Sequence, residues 1–423
     1  MNILKKIYCR GFQFCFKAAL PILPYREPKI LNTMDEVAET FHKKKISRVL
    51  IVTDKGISSL GMLNPLLDAL KQKDILAVIY DETVPNPTIS NIESARALYL
   101  EHNCQAIIGF GGGSSMDCAK ITGARIAKPH QPVSKMRGIL KIHWKLPTLV
   151  AVPTTAGTGS ETTLAAVITD DKTHHKYPIN DFALIPSYAV LDPQVTVGLP
   201  KHLTSTTGMD ALTHAVEAYI GGSTTAHTRA MAEEAVILVR KYLKRAYDDG
   251  HDIEARTKML RAAYCAGVAF TQSYVGYVHG IAHSLGGQYG IPHGLANAVI
   301  LPHMLDEYGS ACYKRLAKLA RKCDIAEWMD DDVTASEKFI HWVKEMNRSM
   351  KIPEYLYEIK PEDIPVMAAH ADKESNPLYP VPKLMDAKEL VKMYDIVAGR
   401  ETVLYRDAKK PAFPIHKKRP AHN

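Results

Sequence analysis

Cysteine is scarce in this sequence of 423 residues. The seven cysteines are an odd number without a CxxC pair, which argues against a disulfide framework or a thiolate metal site and predicts reduced thiols in a cytoplasmic protein. An excess of one charge is also missing, since the formal net charge of +8 is small and six basic residues lie in the last eighteen positions. Outside that tail the charges nearly balance, so no nucleic-acid partner is expected.

An apolar run long enough to cross a membrane is missing as well. The most apolar end is residues 1–29, where Arg10 and Lys17 interrupt the hydrophobic stretches and argue against a spanning helix or a cleaved signal. We expect this N-terminal extension to be amphipathic and to pack on the protein body, with weak contact to a membrane surface as the alternative. Residues 401–423 predict a basic, disordered tail in preference to a nucleic-acid arm.

Two sequence patterns divide the remaining chain. Short apolar runs between helical stretches predict buried, at least partly parallel strands at 48–54, 75–81, 105–110, 148–153, 165–169 and 188–192. From Thr204 onward helical periodicity dominates, with helices predicted over 208–246 and 253–275. We therefore predict an α/β domain over residues 30–200 and an all-α domain over residues 201–400.

Histidines are dense in VHGIAHSLGGQYGIPHG, which contains His279, His283 and His293. Upstream, Asp210 and His214 stand four residues apart, as do His279 and His283. A four-residue step places two side chains on one face of a helix. The sequence thus offers two helical pairs and a fifth imidazole, which we place on a glycine-rich loop.

These five residues suit a divalent metal. A catalytic site of this kind needs three or four protein ligands and an open position, so one residue is left over. Nitrogen and carboxylate ligands without thiolate suit Fe²⁺ or Zn²⁺. A histidine beside the metal but not bound to it is available to move protons, because its ordinary pKa lies near neutrality. Any one histidine taken alone is better explained as a core or surface group; the pattern of five favours a metal site.

A glycine-rich turn, GFGGGSSMDCAK, follows the predicted strand 105–110 and opens a helical run. Glycines let the backbone approach a pyrophosphate, and a new helix points free N–H groups at it. The turn departs from the usual dinucleotide fingerprint, because Ser114 stands where the third glycine is expected and the candidate ribose acid, Asp54, precedes the glycines. A tight turn without a ligand explains this segment alone equally well.

Polar residues after other strands favour a nucleotide. The segment PTTAGTGSETT follows the predicted strand 148–153, and its hydroxyls suit a ligand across the sheet, although a plain polar loop has the same composition. Asn86 lies between two prolines in a rigid turn, for which a structural role is the better explanation on its own. Lys176 is either a phosphate contact or a solvated side chain.

The segments GMDALTHAVEAYI, VHGIAHSLGGQYGIPHGLANAVILPH, FGGGSSMDCAK and PTTAGTGSE together resemble the iron-containing, group III alcohol dehydrogenase family over roughly residues 30–397. The resemblance implies that family's fold, shared with dehydroquinate synthase: a dinucleotide-binding α/β domain, a helical metal-binding domain and a cleft between them. It also implies the metal ligands Asp210, His214, His279 and His293. His283 is then the spare imidazole near the nicotinamide and the metal.

The resemblance further implies contacts with NAD. They are Asp54 and Asn86 at the adenosine ribose, Gly112, Gly113 and Ser114 at the pyrophosphate, Thr154, Thr155 and Thr163 at the nicotinamide half, and Lys176 and Val195 in the ribose region. A carboxylate at position 54 accepts hydrogen bonds from a ribose 2′-OH but repels a 2′-phosphate, which favours NAD over the alternative, NADP. Lys55 follows directly and could soften that repulsion.

The implied reaction is hydride transfer between NAD and a small primary or secondary alcohol, giving an aldehyde or ketone, with Fe²⁺ or alternatively Zn²⁺ bound. Two related activities stay open: a hydroxyacid-oxoacid transhydrogenase, and a cyclising metal- and NAD-dependent lyase. A non-catalytic nucleotide-binding or scaffold protein is disfavoured by the complete set of five residues. The family suggests a homo-oligomer, and the sequence predicts no integral membrane segment.

Overall fold

The computed structural model describes residues 1–172 and 176–400, so the predicted basic tail at 401–423 lies outside the described residues. The strands of the described part are β1 Lys29–Leu31, β2 Arg48–Val52, β3 Leu76–Tyr80, β4 Ala106–Gly111, β5 Gly138–Ile139, β6 Thr148–Pro153, β7 Ala165–Thr169, β8 Lys176–Asn180 and β9 Tyr188–Val190. Its helices up to residue 200 are α1 Ile3–Ala19, α2 Met34–Lys43, α3 Lys55–Ser59, α4 Asn64–Lys71, α5 Ile89–Glu101, α6 Gly113–Ala127 and α7 Val133–Met136. The later helices are α8 Lys201–Ile220, α9 Ala226–Asp248, α10 Ile253–Ser273, α11 Tyr277–Tyr289, α12 His293–Tyr308, α13 Ser310–Lys322, α14 Asp332–Ser349, α15 Ile364–Ser375 and α16 Ala387–Val397.

A parallel sheet forms the centre of the N-terminal half, with the strand order β1-β9-β6-β4-β2-β3. Five of the predicted strands lie in it. The sixth, 165–169, is also a strand, but as β7 it pairs antiparallel with β8 in a separate small sheet with β5. All neighbouring strands of the main sheet run parallel, which places their carboxyl ends at one edge.

Helices cover both faces of this sheet. Alternate residues of β2 point to opposite sides: Val49 and Ile51 join a core with α2 and α4, and Leu50 and Val52 join a core with α5 and α6. Strands that are buried on both faces consist of continuous apolar residues, which explains why the apolar runs of the sequence located them.

The C-terminal half is helical, and the described residues after 200 contain no strand. The helix predicted over 208–246 is wrong as a single element, because α8 ends before Gly221 and α9 begins after Thr225. Gly222 donates its N–H to the Pro380 carbonyl at 2.6 Å, and Thr225 caps α9. The helix predicted over 253–275 is confirmed as α10, which ends where Tyr274 takes a positive φ of 59°.

The N-terminal extension folds as α1 and packs on the helical half, as expected. Lys5 pairs with Asp372 at 2.7 Å, and Gln13 donates to the main-chain carbonyl of Tyr379, also at 2.7 Å. Among the described residues, no helix has both the length and the apolarity that crossing a bilayer requires.

Candidate metal centre and nucleotide site

Four side chains predicted as metal ligands converge in the helical half. Asp210 and His214 lie one turn apart on α8, His279 lies on α11 and His293 begins α12. One donor atom from each lies within 4.8 Å of the others, and three of the four residues are buried. The structure thus brings together, from three helices, the set that the resemblance implied.

The position of His293 corrects one expectation. His293 is the first residue of α12 and does not lie on a glycine-rich loop. The connection is only three residues long: Gly290 ends α11 with a φ of 68°, and Pro292, at −55°, already has the φ of the helix that follows. A helix end holds an imidazole more firmly than a long loop does.

The spacing of the donor atoms fits a small divalent cation. The Asp210 Oδ1 atom lies 3.6 Å from His293 Nε2, 3.9 Å from His279 Nε2 and 4.0 Å from His214 Nδ1. Bonds of about 2.1 Å in a tetrahedral arrangement put ligand atoms about 3.4 Å apart, so a slight contraction closes the site around Fe²⁺ or Zn²⁺. The buried His214 Nδ1 has no hydrogen-bond partner among the described residues. Buried polar atoms normally have a partner, and a metal ion bound to this atom would supply one.

Burial keeps the three imidazoles in the form that binds metal. Desolvation lowers the pKa of His214, lowers that of His279 well below its ordinary value and lowers that of His293 to about 4. All three rings are therefore neutral at pH 7. A neutral ring offers its lone pair without first losing a proton.

Glu217 is a site residue that the sequence analysis missed. Its buried carboxylate accepts hydrogen bonds from His279 Nδ1 at 2.6 Å and from the main-chain N–H groups of Gly276 and Val278 at 2.8 and 2.9 Å. The contact puts the His279 proton on Nδ1 and leaves Nε2 unprotonated, with the lone pair that a metal needs. Glu217 lies on the same face of α8 as Asp210 and His214, since the three are spaced by four and three residues, so that spacing was the available signal.

Asn297 is the second missed residue. It is fully buried on α12, one turn after His293, and its amide nitrogen donates to Asp210 Oδ1 at 2.7 Å. The same nitrogen lies 3.2 Å from His279 Nε2 and 3.0 Å from His293 Nε2. Asn297 therefore contacts three of the four candidate ligands and helps to set their spacing.

Replacing Glu217 by Gln is expected to weaken metal binding by about 10–100-fold, the usual effect of losing the carboxylate partner of a ligating histidine. Glutamine has nearly the same shape but a single acceptor oxygen, so one of the N–H contacts of Gly276 and Val278 is lost and some loss of stability is expected. Competition with a chelator measures the affinity. Glu233→Gln is the matched control, since that carboxylate on α9 pairs with Tyr219 and Lys322. Equal affinity in Glu217→Gln and wild type would remove Glu217 from the site.

His283 lies beside the ligands without joining them. Its ring stacks on that of His293, with 5.1 Å between centroids, and 36% of its side chain is exposed. Its Nδ1 contacts Glu374 at 2.6 Å, and Glu374 also accepts from the Tyr379 hydroxyl at 2.8 Å. Burial disfavours charge on His283, but attraction and hydrogen bonding to Glu374 outweigh it and raise the His283 pKa.

The glycine turn begins α6 at the carboxyl end of β4. Gly112 caps the helix and Gly113 is its first residue, so the first N–H groups of α6 face outward from the sheet edge. Ser114 Oγ accepts from the main chain of Asn86 at 3.2 Å, and Asn86 Oδ1 accepts from Lys176 at 2.6 Å. Three predicted cofactor residues thus form one connected group.

Asp54, the predicted ribose acid, caps α3 directly after β2. Its Oδ1 accepts from the Ile57 N–H at 3.1 Å, and its Oδ2 accepts from Ser115 at 3.4 Å. The carboxylate is half-buried and lies next to the glycine turn. This position agrees with a role at the edge of a nucleotide site.

The second polar loop lies against the first. Thr154 donates its N–H to the Gly111 carbonyl at 3.1 Å, and the hydroxyl of Thr155 is buried without a partner among the described residues. Thr163 and Val195 have buried side chains: the Thr163 hydroxyl accepts from Lys120, and Val195 belongs to a core beneath the sheet. Their side chains support the loops instead of lining an open surface.

Close backbone packing joins this loop to the metal centre. A Cβ at Gly157 would lie 2.5 Å from the carbonyl oxygen of Thr207 on α8. Gly159 has a φ of +63°, and a Cβ there would lie 2.8 Å from the Cα of Gly267 on α10. Only glycine allows such approaches, and they place the nucleotide loops beside the helix that carries Asp210 and His214.

The buried side chain of Lys120 holds the 153–163 loop in place. Its ammonium group, 1% exposed, donates to the Ser160 hydroxyl and to the Thr163 and Ala165 carbonyls at 2.8–3.1 Å. Burial lowers the Lys120 pKa to about 8. This lysine belongs to the segment GFGGGSSMDCAK, where the sequence alone did not indicate its role.

Comparisons with known proteins agree with this site. Residues 30–193 match the model of the iron-containing alcohol dehydrogenases, and residues 204–397 match that of the C-terminal part of the Fe-containing alcohol dehydrogenase family. The 1,3-propanediol dehydrogenase of Klebsiella pneumoniae is 36% identical over 372 residues, which cover 85% of this chain and 93% of that protein.

Two solved structures are similar throughout. The alcohol dehydrogenase from Oenococcus oeni has a TM-score of 0.84 and 34% identity, and the match covers 88% of this chain and 100% of that one. The sulfoacetaldehyde reductase from Bifidobacterium kashiwanohense, solved with NAD⁺, has a TM-score of 0.79 and 26% identity, with 89% and 99% of the chains covered. The chain belongs to the iron-containing alcohol dehydrogenase family, and its activity is that of an alcohol dehydrogenase.

Proposed function

We propose that Asp210, His214, His279 and His293 hold Fe²⁺ and that NAD lies along the glycine turn and the 153–163 loop. Bound there, NAD would supply hydride exchange at its nicotinamide C4 with the carbinol carbon of a small primary or secondary alcohol. The observation that carries this proposal is the convergence of four donor atoms within 4.8 Å, beside the 153–163 loop, whose Gly157 packs on α8, the helix of Asp210 and His214. Iron and NAD are the cofactors of the family; Zn²⁺ and NADP are the alternatives.

A divalent cation in this site supplies Lewis acidity toward the oxygen of an alcohol or carbonyl substrate. Asp210 is the one acid among the four ligands, so it offsets only part of a dication's charge. Neutral imidazoles supply the remaining ligands, as their lowered pKa values indicate. The protein thereby keeps a positive field where the substrate oxygen develops negative charge.

His283 is proposed to exchange the proton of the alcohol with solvent. Glu374 fixes its Nδ1, which leaves Nε2 as the atom that takes or gives a proton. The partial exposure of His283 supplies the link to water. Phe270 stacks on His214 with 4.1 Å between ring centroids, and we propose that it is an apolar wall for a short alkyl chain.

The cofactor preference is tested at Asp54. Asp54→Asn keeps the cap of α3 but removes the negative charge, so kcat/KM with NADP relative to NAD is expected to rise by about tenfold as the repulsion of a 2′-phosphate is lost. Steady-state rates with both nucleotides measure the ratio. Asp386→Asn, another capping aspartate at the start of α16, is the control. A constant ratio in Asp54→Asn would place the ribose elsewhere.

A substrate panel separates the proposed activity from its relatives. After reconstitution with Fe²⁺ or Zn²⁺, steady accumulation of NADH with simple alcohols identifies a dehydrogenase. A transhydrogenase would instead reduce an added oxoacid without net NADH release, and a lyase would yield a cyclised product. The family relationship does not favour these two alternatives.

We further propose that the chain divides into two domains at about residue 200. We also propose that the protein is a homo-oligomer and that it functions in a reducing, cytoplasmic compartment. All seven cysteines lie in the described residues and are free thiols. β9, the last strand of the sheet, ends at Val190, and α8 begins at Lys201, so the proposed boundary falls in the connection.

A further inference from the structure

The outward face of α1 is apolar and has no partner in the described part of the chain. Its large exposed side chains are Ile3, Leu4, Ile7, Tyr8, Phe12 and Phe14, from 39% to 75% exposed. Between them, Gly11 faces open space. At about 100° per residue these positions cover roughly half of the helix circumference. A contiguous apolar face of this kind marks a surface that binds something.

The opposite face of α1 is fixed to the protein body. Cys9 is fully buried, Gln13 donates to the main-chain carbonyl of Tyr379, and Arg10 donates to that of Val381 at 2.8 Å. The ion pair of Lys5 with Asp372 adds a fourth attachment. The helix therefore cannot rotate to bury its apolar side, which stays presented to the surroundings.

Basic residues border the apolar face. Lys6, Arg10 and Lys17 are spaced by four and seven residues and share one side of α1. The side chains of Lys6 and Lys17 form no ion pair or hydrogen bond with any described residue. The first acid of the chain is Glu27, so nothing in α1 neutralises these cations.

We propose that α1 is a docking surface for an anionic lipid membrane. A helix with an apolar face and an acid-free, cationic border lies in the interface of such a membrane, with its apolar side chains among the acyl chains and its cations at the headgroups. A second copy of this chain fits less well, because a symmetric pair of α1 helices would bring two sets of cations together without an acid to pair with them. The apolar face is also wider than the narrow seam of a helix pair.

Vesicle sedimentation with the full-length protein tests the proposal. Wild type is expected to bind vesicles of phosphatidylcholine mixed with phosphatidylglycerol, and to bind less at high salt or without phosphatidylglycerol. Ile7→Asp and Phe14→Asp should each reduce binding by at least about tenfold, since burying one such side chain amounts to that factor or more. The double variant Lys6→Glu, Lys17→Glu should reduce vesicle binding by at least about tenfold, because each cation removed costs roughly fivefold in affinity.

Met329→Asp is the matched control, because Met329 is 92% exposed but lies far along the chain, in the connection before α14. It should bind vesicles as wild type does. Alcohol oxidation should be unchanged in all these variants, which shows that they fold. Three results would overturn the proposal. They are no binding of the wild-type protein to either type of vesicle, equal binding of the wild-type protein to both types, or binding by Ile7→Asp and Phe14→Asp that equals that of wild type. A change of oligomeric state in those two variants, with no vesicle binding by wild type, would assign the face to a second copy.

Discussion

His279→Ala is expected to lose its metal and its alcohol dehydrogenase activity together. The replacement removes one of four ligands and leaves the buried carboxylate of Glu217 without its imidazole partner. Metal ions contribute several kcal/mol of transition-state stabilisation in such reactions, so kcat should fall by a factor of about 1,000 or more. Metal analysis of the purified protein and the rate of NADH formation with a simple alcohol measure the two losses.

His303→Ala is the control for this experiment. Like His279, His303 is a buried histidine, but it lies on α12 and its Nε2 contacts the main-chain oxygen of Glu354 at 3.0 Å. It is not one of the candidate ligands. It should keep both metal and activity. A His279→Ala protein with a full complement of iron and normal turnover would refute the ligand assignment.

His283→Ala is expected to keep its metal and lose rate. The ring lies beside the ligands but is hydrogen-bonded to Glu374, so the four donor atoms remain in place when it is removed. Loss of a positioned general acid-base group costs about 100–10,000-fold in rate. Metal analysis and kcat for alcohol oxidation are the measurements, and added imidazole should restore part of the rate.

Glu374→Gln separates a proton-transfer role from a structural one. It keeps the His283 ring but removes the charge that favours its protonated form, so a smaller loss of rate with full metal content is expected. If His283→Ala lost metal as His279→Ala should, then His283 would be a ligand and the spare imidazole would have to be sought among the other three histidines.

Six of the nine strands in the described residues were predictable from the sequence, whereas β1, β5 and β8 were missed and the pairing of the strands was not predicted. Continuous apolar runs identify β2, β4 and β6 because helices bury both faces of the sheet. The run at 165–169 has the same character, yet it belongs to the small antiparallel sheet. The local composition of a strand indicates how deeply the strand is buried, whereas its choice of a neighbouring strand depends on the path of the chain between them. The same limit explains the helix predicted over 208–246, since the break at Gly221 and Gly222 is stabilised by a carbonyl more than 150 residues away.

The metal ligands were predicted more completely than the residues that support them. Spacing along α8 and α11, together with the family resemblance, identified Asp210, His214, His279 and His293, which the structure brings together. Glu217 and Asn297 have equally regular spacing, but glutamate and asparagine occur on many helices without a role. Only the three-dimensional structure shows that their polar atoms point inward at ligands. Cofactor contacts such as Thr163 and Val195 remain predictions, and their buried side chains make them the weakest of the set.

The attachment of α1 has a consequence for the reacting groups themselves. Gln13 holds the main chain of Tyr379, the Tyr379 hydroxyl holds Glu374, and Glu374 orients His283. A segment that precedes both regions matched by the family models thus braces, through three successive contacts, the histidine proposed to carry the proton. Removing the residues before the first region matched by the family models would remove that brace. The position of the His283 ring for proton transfer therefore depends on residues that a comparison limited to the matched regions would leave out.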